Sequence, residues 1–330
     1  IAVAAVTLLH GEGGGADKAP AVPQVVTSPH AAEAPTASAP AARTVAASPG
    51  RHKAGDTFRD CEACPDMVVV APGSFVQGSP DTESDREPNE GPQHTVKIAY
   101  PLAVGRYEVT RGEFAQFAGD TGYEAMGCWV YDGSWRLDDT ASWRSPGFVQ
   151  TDDHPATCIS WQDAEAYVRW LSKRTGKRYR LLTSSEWEYI ARAGSTAARA
   201  GGDDPAAACS VGNVADRSAA KVYQDWKVHG CQDGYIYTAP VGKFKANKFG
   251  VYDMSGNAFE WVQDCWNSSY QGAPTDGSAW TQGDCGKRVL RGASWFSMPR
   301  YDRFAFRNHF AQDRRSATFG FRVARRLPGS

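Results

Sequence analysis

The sequence predicts an α+β domain that is rich in loops and poor in regular secondary structure. Three observations carry this. Short β-branched runs are scattered along the chain. Only three stretches join an N-capping signature to helical periodicity. The rest is punctuated by 33 Gly and 19 Pro in 330 residues. Strands and helices do not alternate, which argues against a doubly wound parallel sheet. At roughly 100–200 residues per domain, the length admits one large domain or two modest ones.

The chain opens Ile1-Ala-Val-Ala-Ala-Val-Thr-Leu-Leu9. Nine apolar residues fall short of the about 20 that cross a bilayer. Residues 1–10 therefore read as the end of a transmembrane or signal segment that begins upstream. Residues 11–57 are dominated by Ala, Pro, Ser, Thr and Gly and hold no Phe, Trp or Tyr. Such a stretch cannot bury enough apolar area to offset its ordering entropy, so it reads as a disordered linker. Residues 58–330 form the folded domain.

Within that domain, 67–71 and 94–99 are β-branched and read as strands. Gly73, Gly78 and the acidic run 81–92 mark a long loop between them. Thr110-Arg-Gly-Glu113 is a capping box, with Phe114, Phe117 and Ala118 at helical spacing behind it. Ser160-Trp-Gln-Asp163 opens a second helix that buries Ala164, Tyr167, Val168 and Leu171 and stops at Gly176. Thr183-Ser-Ser-Glu186 caps a third, closed by Gly194. Short strands are expected near 236–243, 288–291 and 319–325.

Lys plus Arg (36) and Asp plus Glu (37) give a formal charge of −1, so no nucleic-acid partner is expected. The eight cysteines fit a disulfide framework in an oxidising compartment. Eight cysteines allow 105 pairings; nearest-neighbour pairing would give 61–64, 128–158, 209–231 and 265–285. Cys61-Glu-Ala-Cys64 admits a redox motif or half a zinc site, but no second CxxC or HExxH exists, and a staple at the domain entrance is favoured. There is no phosphate loop, no GxSxG elbow and no kinase HRD or DFG motif. His94, His154, His229 and His309 do not pair at ligand spacing.

Several motifs stand in order: Met67-Val-Val-Val-Ala-Pro-Gly-Ser-Phe75, Tyr107-Glu-Val-Thr110, His154-Pro-Ala-Thr-Cys-Ile-Ser-Trp161 and Tyr179-Arg-Leu-Leu-Thr-Ser-Ser-Glu-Trp-Glu188. Thr238-Ala-Pro-Val-Gly242, Phe249-Gly-Val-Tyr-Asp-Met-Ser-Gly-Asn-Ala-Phe-Glu-Trp261, Arg291-Gly-Ala-Ser-Trp295 and Gly320-Phe-Arg322 follow. The series resembles the formylglycine-generating enzyme (sulfatase-modifying factor) family over about residues 58–327. The resemblance implies one α+β domain with a C-type lectin-like, loop-rich fold. It also implies two structural calcium sites, one at Asn213, Val214, Asp233 and Tyr235 and one at Asp253, Gly256, Ala258 and Glu260. Carboxylate, amide and carbonyl oxygens suit hard Ca²⁺.

Enzymes of the family hold Cu(I) between two cysteines. Here the first falls on Ser297 and the second within Arg300-Tyr-Asp-Arg303, and no Cys follows Cys285. A hydroxyl does not replace a thiolate on Cu(I), so copper is not expected. Phe259 also stands where the family has a Trp near its oxygen pocket. Two relatives work without those cysteines. The ergothioneine-pathway sulfoxide synthases use a histidine iron site whose HxxxHxE is missing here, whereas the pyoverdine-maturation oxidase is not excluded. Trp295, Ser297, Arg300, Tyr301, Arg303, Arg307 and Asn308 would line the family's groove. Aromatic faces and guanidinium forks suit a polar ligand, a peptide or a glycan; the competing reading is a packing stripe whose arginines pair with nearby acids. The expected function is a non-catalytic ligand-binding or sensor domain, periplasmic or extracellular. It would be membrane-tethered through the N-terminal segment, as in a receptor-type Ser/Thr kinase. An oxidoreductase is the alternative, and a calcium-stapled spacer without ligand is a third reading.

Overall fold

The computed structural model describes residues 52–202 and 204–328. The expected membrane or signal segment (1–10) and nearly all of the expected linker (11–57) lie outside the described residues. Among the described residues no helix is long and apolar enough to cross a membrane. Pairing begins just ahead of residue 58, because β1 (Thr57–Phe58) lies antiparallel to β2 (Met67–Val70). Gly55 N also donates to Val69 O.

The chain continues through β3 (Gly73–Gln77), β4 (His94–Ile98), β5 (Leu102–Gly105) and α1 (Arg111–Thr121). The hairpin β6 (Met126–Tyr131) and β7 (Trp135–Ser142) precedes α2 (Trp161–Thr175), β8 (Arg180–Leu181), α3 (Ser184–Arg192) and α4 (Arg217–Ala220). The last third holds β9 (Phe259–Trp266), β10 (Asp284–Arg291), β11 (Asn308–Ala311), β12 (Phe319–Phe321) and β13 (Val323–Arg326). The first sheet has the order β1-β2-β5-β13-β8 and the second β11-β10-β9-β12, with β12 parallel to β9. Two hairpins, β3-β4 and β6-β7, stand apart.

The three long helices start where local chemistry places them. Thr110, Ser160 and Thr183 each accept a hydrogen bond from the third helical N–H, and the acid at that position reaches back to the cap. The first two end at left-handed Gly122 and Gly176. The third ends one residue before the expected Gly194, on Ala193 at φ 43°. Phe114, Phe117, Tyr167 and Leu171 are buried as the periodicity requires. Phe114 stacks on Tyr167 with centroids 5.9 Å apart and meets Trp143 edge-on at 5.2 Å. Each such side chain contributes about 1.5–3 kcal/mol of burial.

Three strand expectations change. The loop expected from Gly73 onward begins instead with β3, paired in full register with β4. The 319–325 strand is two strands, divided at Arg322 between the two sheets. No strand forms at 236–243. Pro240 has no N–H to give a ladder. Ala239 N, Val241 N and Gly242 N donate to Asn257 Oδ1, Asp153 O and Asp253 Oδ2. All eight cysteines are bridged, as 61–64, 128–158, 209–231 and 265–285, so Cys61–Cys64 closes the turn between β1 and β2.

Candidate functional site

The segment after β10 carries the expected cleft, and most of it is interior. Trp295 is 1% exposed, donates from Nε1 to Ala317 O at 3.0 Å and meets Tyr237 edge-on. Ser297 is buried, its Oγ accepting from Ser294 N at 3.0 Å. Arg303 forks onto Glu90 at 2.7 and 2.5 Å and also reaches Glu83 at 2.7 Å and Asp85 O at 2.8 Å. Arg307 is buried over Trp266 and Tyr270 and donates to Asn89 O and Asn267 O. Arg300 is exposed and paired with Glu87 at 2.5 Å. Tyr301 and Asn308 are half-buried. These seven residues therefore do not form one open groove. The acidic loop 79–92 lies across the segment, neutralises Arg300 and Arg303 and gives Arg307 the Asn89 carbonyl, which is a packing-stripe arrangement.

The residues of the first expected calcium site lie close to one another. Asn213 is fully buried; its Nδ2 donates to Tyr237 O, and its Oδ1 has no partner. Asp233 accepts from Val214 N at 3.3 Å and from Tyr235 N at 2.8 Å. Asp216, not singled out in the sequence, takes the N–H of Asp233 and lies with it in one acidic group. Burial and then the Asp216 charge push the Asp233 carboxyl up to about 7. The sulfur of Cys209 lies beside both acids, but its bond to Cys231 leaves no thiolate to ligate.

The second cluster adjoins the first, since Asn257 N donates to Asn213 O at 2.6 Å. Asp253 is held at φ 58°; Oδ2 accepts from Gly242 N, while Oδ1 has no partner. Glu260 receives Trp187 Nε1 at 2.9 Å and Arg322 Nη2 at 2.7 Å. Ala258 is buried beside it. Gly256 is dictated by space, because a Cβ there would lie 1.9 Å from Asn213 O. Glu108, also missed in the sequence, is buried with neither carboxylate oxygen hydrogen-bonded. Burial, with Asp253 and Glu260 nearby, raises its carboxyl strongly against the pull of Arg322. Three buried carboxylates share one guanidinium. Orphaned carboxylate and amide oxygens of this kind fit a hard divalent cation.

Where the family's copper cysteines would stand, the donors are Ser297 and a stretch whose buried acid is Asp302. Ser255 Oγ donates to Asp302 Oδ1 at 2.5 Å, and Oδ2 has no partner. Burial raises this carboxyl, while the Ser255 bond and the charges of His229 and Arg199 oppose it. Hard oxygen donors without thiolate do not fit Cu(I).

Small sheets, few helices and the Gly-Asn-Ala-Phe-Glu loop at their junction place the chain in the formylglycine-generating-enzyme fold class. The chain belongs to the sulfatase-modifying factor enzyme 1-like domain family, whose model matches residues 53–327. It is 31% identical to the formylglycine-generating enzyme of Thermomonospora curvata over 78% of this chain and 92% of that protein. It is 28% identical to the serine/threonine-protein kinase pkn1 of Chlamydia caviae, over 79% of this chain but 38% of that protein. Among solved structures it is similar to PvdO from Pseudomonas aeruginosa, with a TM-score of 0.73 and 40% identity over 84% of this chain and all of that one.

Proposed function

We propose that this chain is an extracytoplasmic ligand-binding or sensor domain on the family scaffold, without the family's copper oxidase chemistry. One observation carries the reading. By the family resemblance Ser297 and the cysteine-free stretch Arg300–Arg303 stand where a thiolate pair is required, and all eight cysteines are already bridged. The four disulfides support an oxidising compartment. The match to one part of a protein named as a kinase supports a role as a receptor's sensing end. On this reading the residues ahead of the β1 pairing are the membrane exit and tether, and structural calcium fills the two acid clusters and holds together loops that lack ladders. The partner is a polar ligand, peptide or glycan.

The test is a peptide carrying the sulfatase-type Cys-x-Pro-x-Arg sequence, incubated with this protein, copper and oxygen. An unchanged thiol is expected, and conversion of the thiol to an aldehyde overturns the reading. A second reading rests on the 40% identity to PvdO, which exceeds the identity to the Thermomonospora enzyme. On it the chain is an oxidoreductase that needs no copper cysteines, such as the pyoverdine-maturation oxidase. Oxygen-dependent turnover of a pyoverdine precursor would establish it, and absence of turnover would remove it.

A further inference from the structure

A cavity of about 310 Å³ opens between the C-terminal end of α3, the 195–202 loop and the 245–255 loop. That volume lies at the small end of the range typical of ligand pockets. Ala193, Val211, Val251, Met254 and Phe304 give it apolar walls. Arg192 and Arg199 also line it, and their situations differ. Arg192 is fully engaged by Glu188 Oε1, Ala197 O and Gly78 O. Arg199 is 8% exposed, and its Nε has no partner among the described residues. Its guanidinium has one 3.4 Å bond to Pro299 O and a 3.9 Å ion pair with the half-exposed Asp85. Its charge reaches Asp302 behind Ser255, but no hydrogen bond joins them. A guanidinium offers five N–H donors, and burying a charge is costly unless it is paired and hydrogen-bonded.

Two exposed lysines, Lys245 and Lys248, also line the cavity, and neither is in an ion pair among the described residues. The acid in the lining, Asp253, is held by Gly242 N beside Arg322 and Glu260. The cavity thus joins apolar walls to an under-satisfied buried cation and two further cations.

We propose that this cavity binds a small organic anion, an apolar body whose carboxylate or phosphate head docks on Arg199. The head would accept the donors that the protein leaves idle, and the body would cover Phe304 and Met254. The site borders the second cation cluster at Asp253 and the 295–308 segment at Phe304, but Arg199, Lys245 and Lys248 belong to neither. It stands whether or not the chain is a catalyst, so its failure leaves the reading above untouched.

The test is calorimetric titration of the full chain with benzoate, phenyl phosphate and the neutral benzyl alcohol. At least one anion is expected to saturate, with the alcohol at least tenfold weaker; the tighter anion identifies the preferred head. Arg199→Gln should weaken the anion at least tenfold. The Lys245→Gln/Lys248→Gln pair, both exposed, should weaken it several-fold and flatten its salt dependence, and it serves if the Arg199 variant does not fold. Failure of both anions to saturate at millimolar concentration, equal binding of the alcohol, or unchanged affinity in the variants overturns the proposal.

Discussion

Replacing Arg303 by Met separates a structural guanidinium from a ligand-binding one. The Arg303 and Glu90 side chains are both 0% exposed and share two short hydrogen bonds. Arg303 Nε also donates to Arg300 O at 3.1 Å, and its other donors reach Glu83 and Asp85 O. Methionine removes all of these and leaves the Glu90 carboxylate buried with only Ser79 Oγ and Glu87 N. Breaking a buried pair from one side costs about 3–5 kcal/mol. In a domain of this size that is a fall of about 6–20 °C in melting temperature. Thermal and urea unfolding with the disulfides intact read it directly. Arg303→Lys should recover only part of the loss, because one ammonium cannot reproduce the fork. Adding Glu90→Gln to Arg303→Met should recover some stability, since no charge is then stranded. A ligand-facing arginine would leave stability within about 0.5 kcal/mol. A loss below about 1 kcal/mol in Arg303→Met refutes the reasoning.

Three other outcomes are expected. EGTA should lower the melting temperature, because a cation at a hundred times its Kd contributes about 2.7 kcal/mol; an unchanged melting temperature with no calorimetric heat from added calcium rejects both clusters as calcium sites. Burial pushes Asp264 up to about 6 against the N–H groups of Trp280 and Ser184. An acid raised on folding holds its proton longer in the native state, so its contribution to stability falls as pH rises from about 4 to about 6, by on the order of 2–3 kcal/mol. Asp264→Asn should flatten that slope in unfolding measured across the range; an unaltered slope would remove Asp264 as its source. Opening the 128–158 bridge, of sequence separation 30, by the double Ala variant should cost about 3–4 kcal/mol in chemical unfolding.

What could be read before the fold was known was local. Thr110, Ser160 and Thr183 announce their helices because a capping box needs only four consecutive residues. The β6-β7 hairpin escapes because Gly127, Asp138 and Asp139 dilute any alternation, although its charges are matched locally, Arg136 with Asp132 at the turn and with Asp138 on its own strand. At 236–243 the residues looked like a strand, but their N–H groups go to side chains and a distant loop. The cation clusters were half legible. Asp253 sits in a motif and Asn213 comes with the family resemblance, whereas Asp216 and Glu108 join them only through folding, Glu108 from 145 positions before Asp253. Arg300 and Arg303 looked like a binding surface because their acidic partners lie more than 200 residues earlier, as does the Asn89 carbonyl that takes Arg307.

The division of 319–326 between two sheets makes the completion of both depend on one short segment. β13 is the neighbour that joins β8 to β5, and β12 is the parallel partner of β9. Between them Arg322 ties Glu260 to the backbone of Gly105 and Tyr252. As the chain emerges from the ribosome, β8 and the open sides of β5 and β9 wait for partners made last, whereas β1-β2-β5, β9-β10-β11 and both hairpins find theirs earlier. Contacts of such long sequence separation form slowly. Until residue 326 is free, β8 has no ladder and the buried carboxylate of Glu260 lacks its cation. A chain cut short before 319 therefore leaves β8 without a neighbour, one edge of β9 open and the Glu260 carboxylate without Arg322.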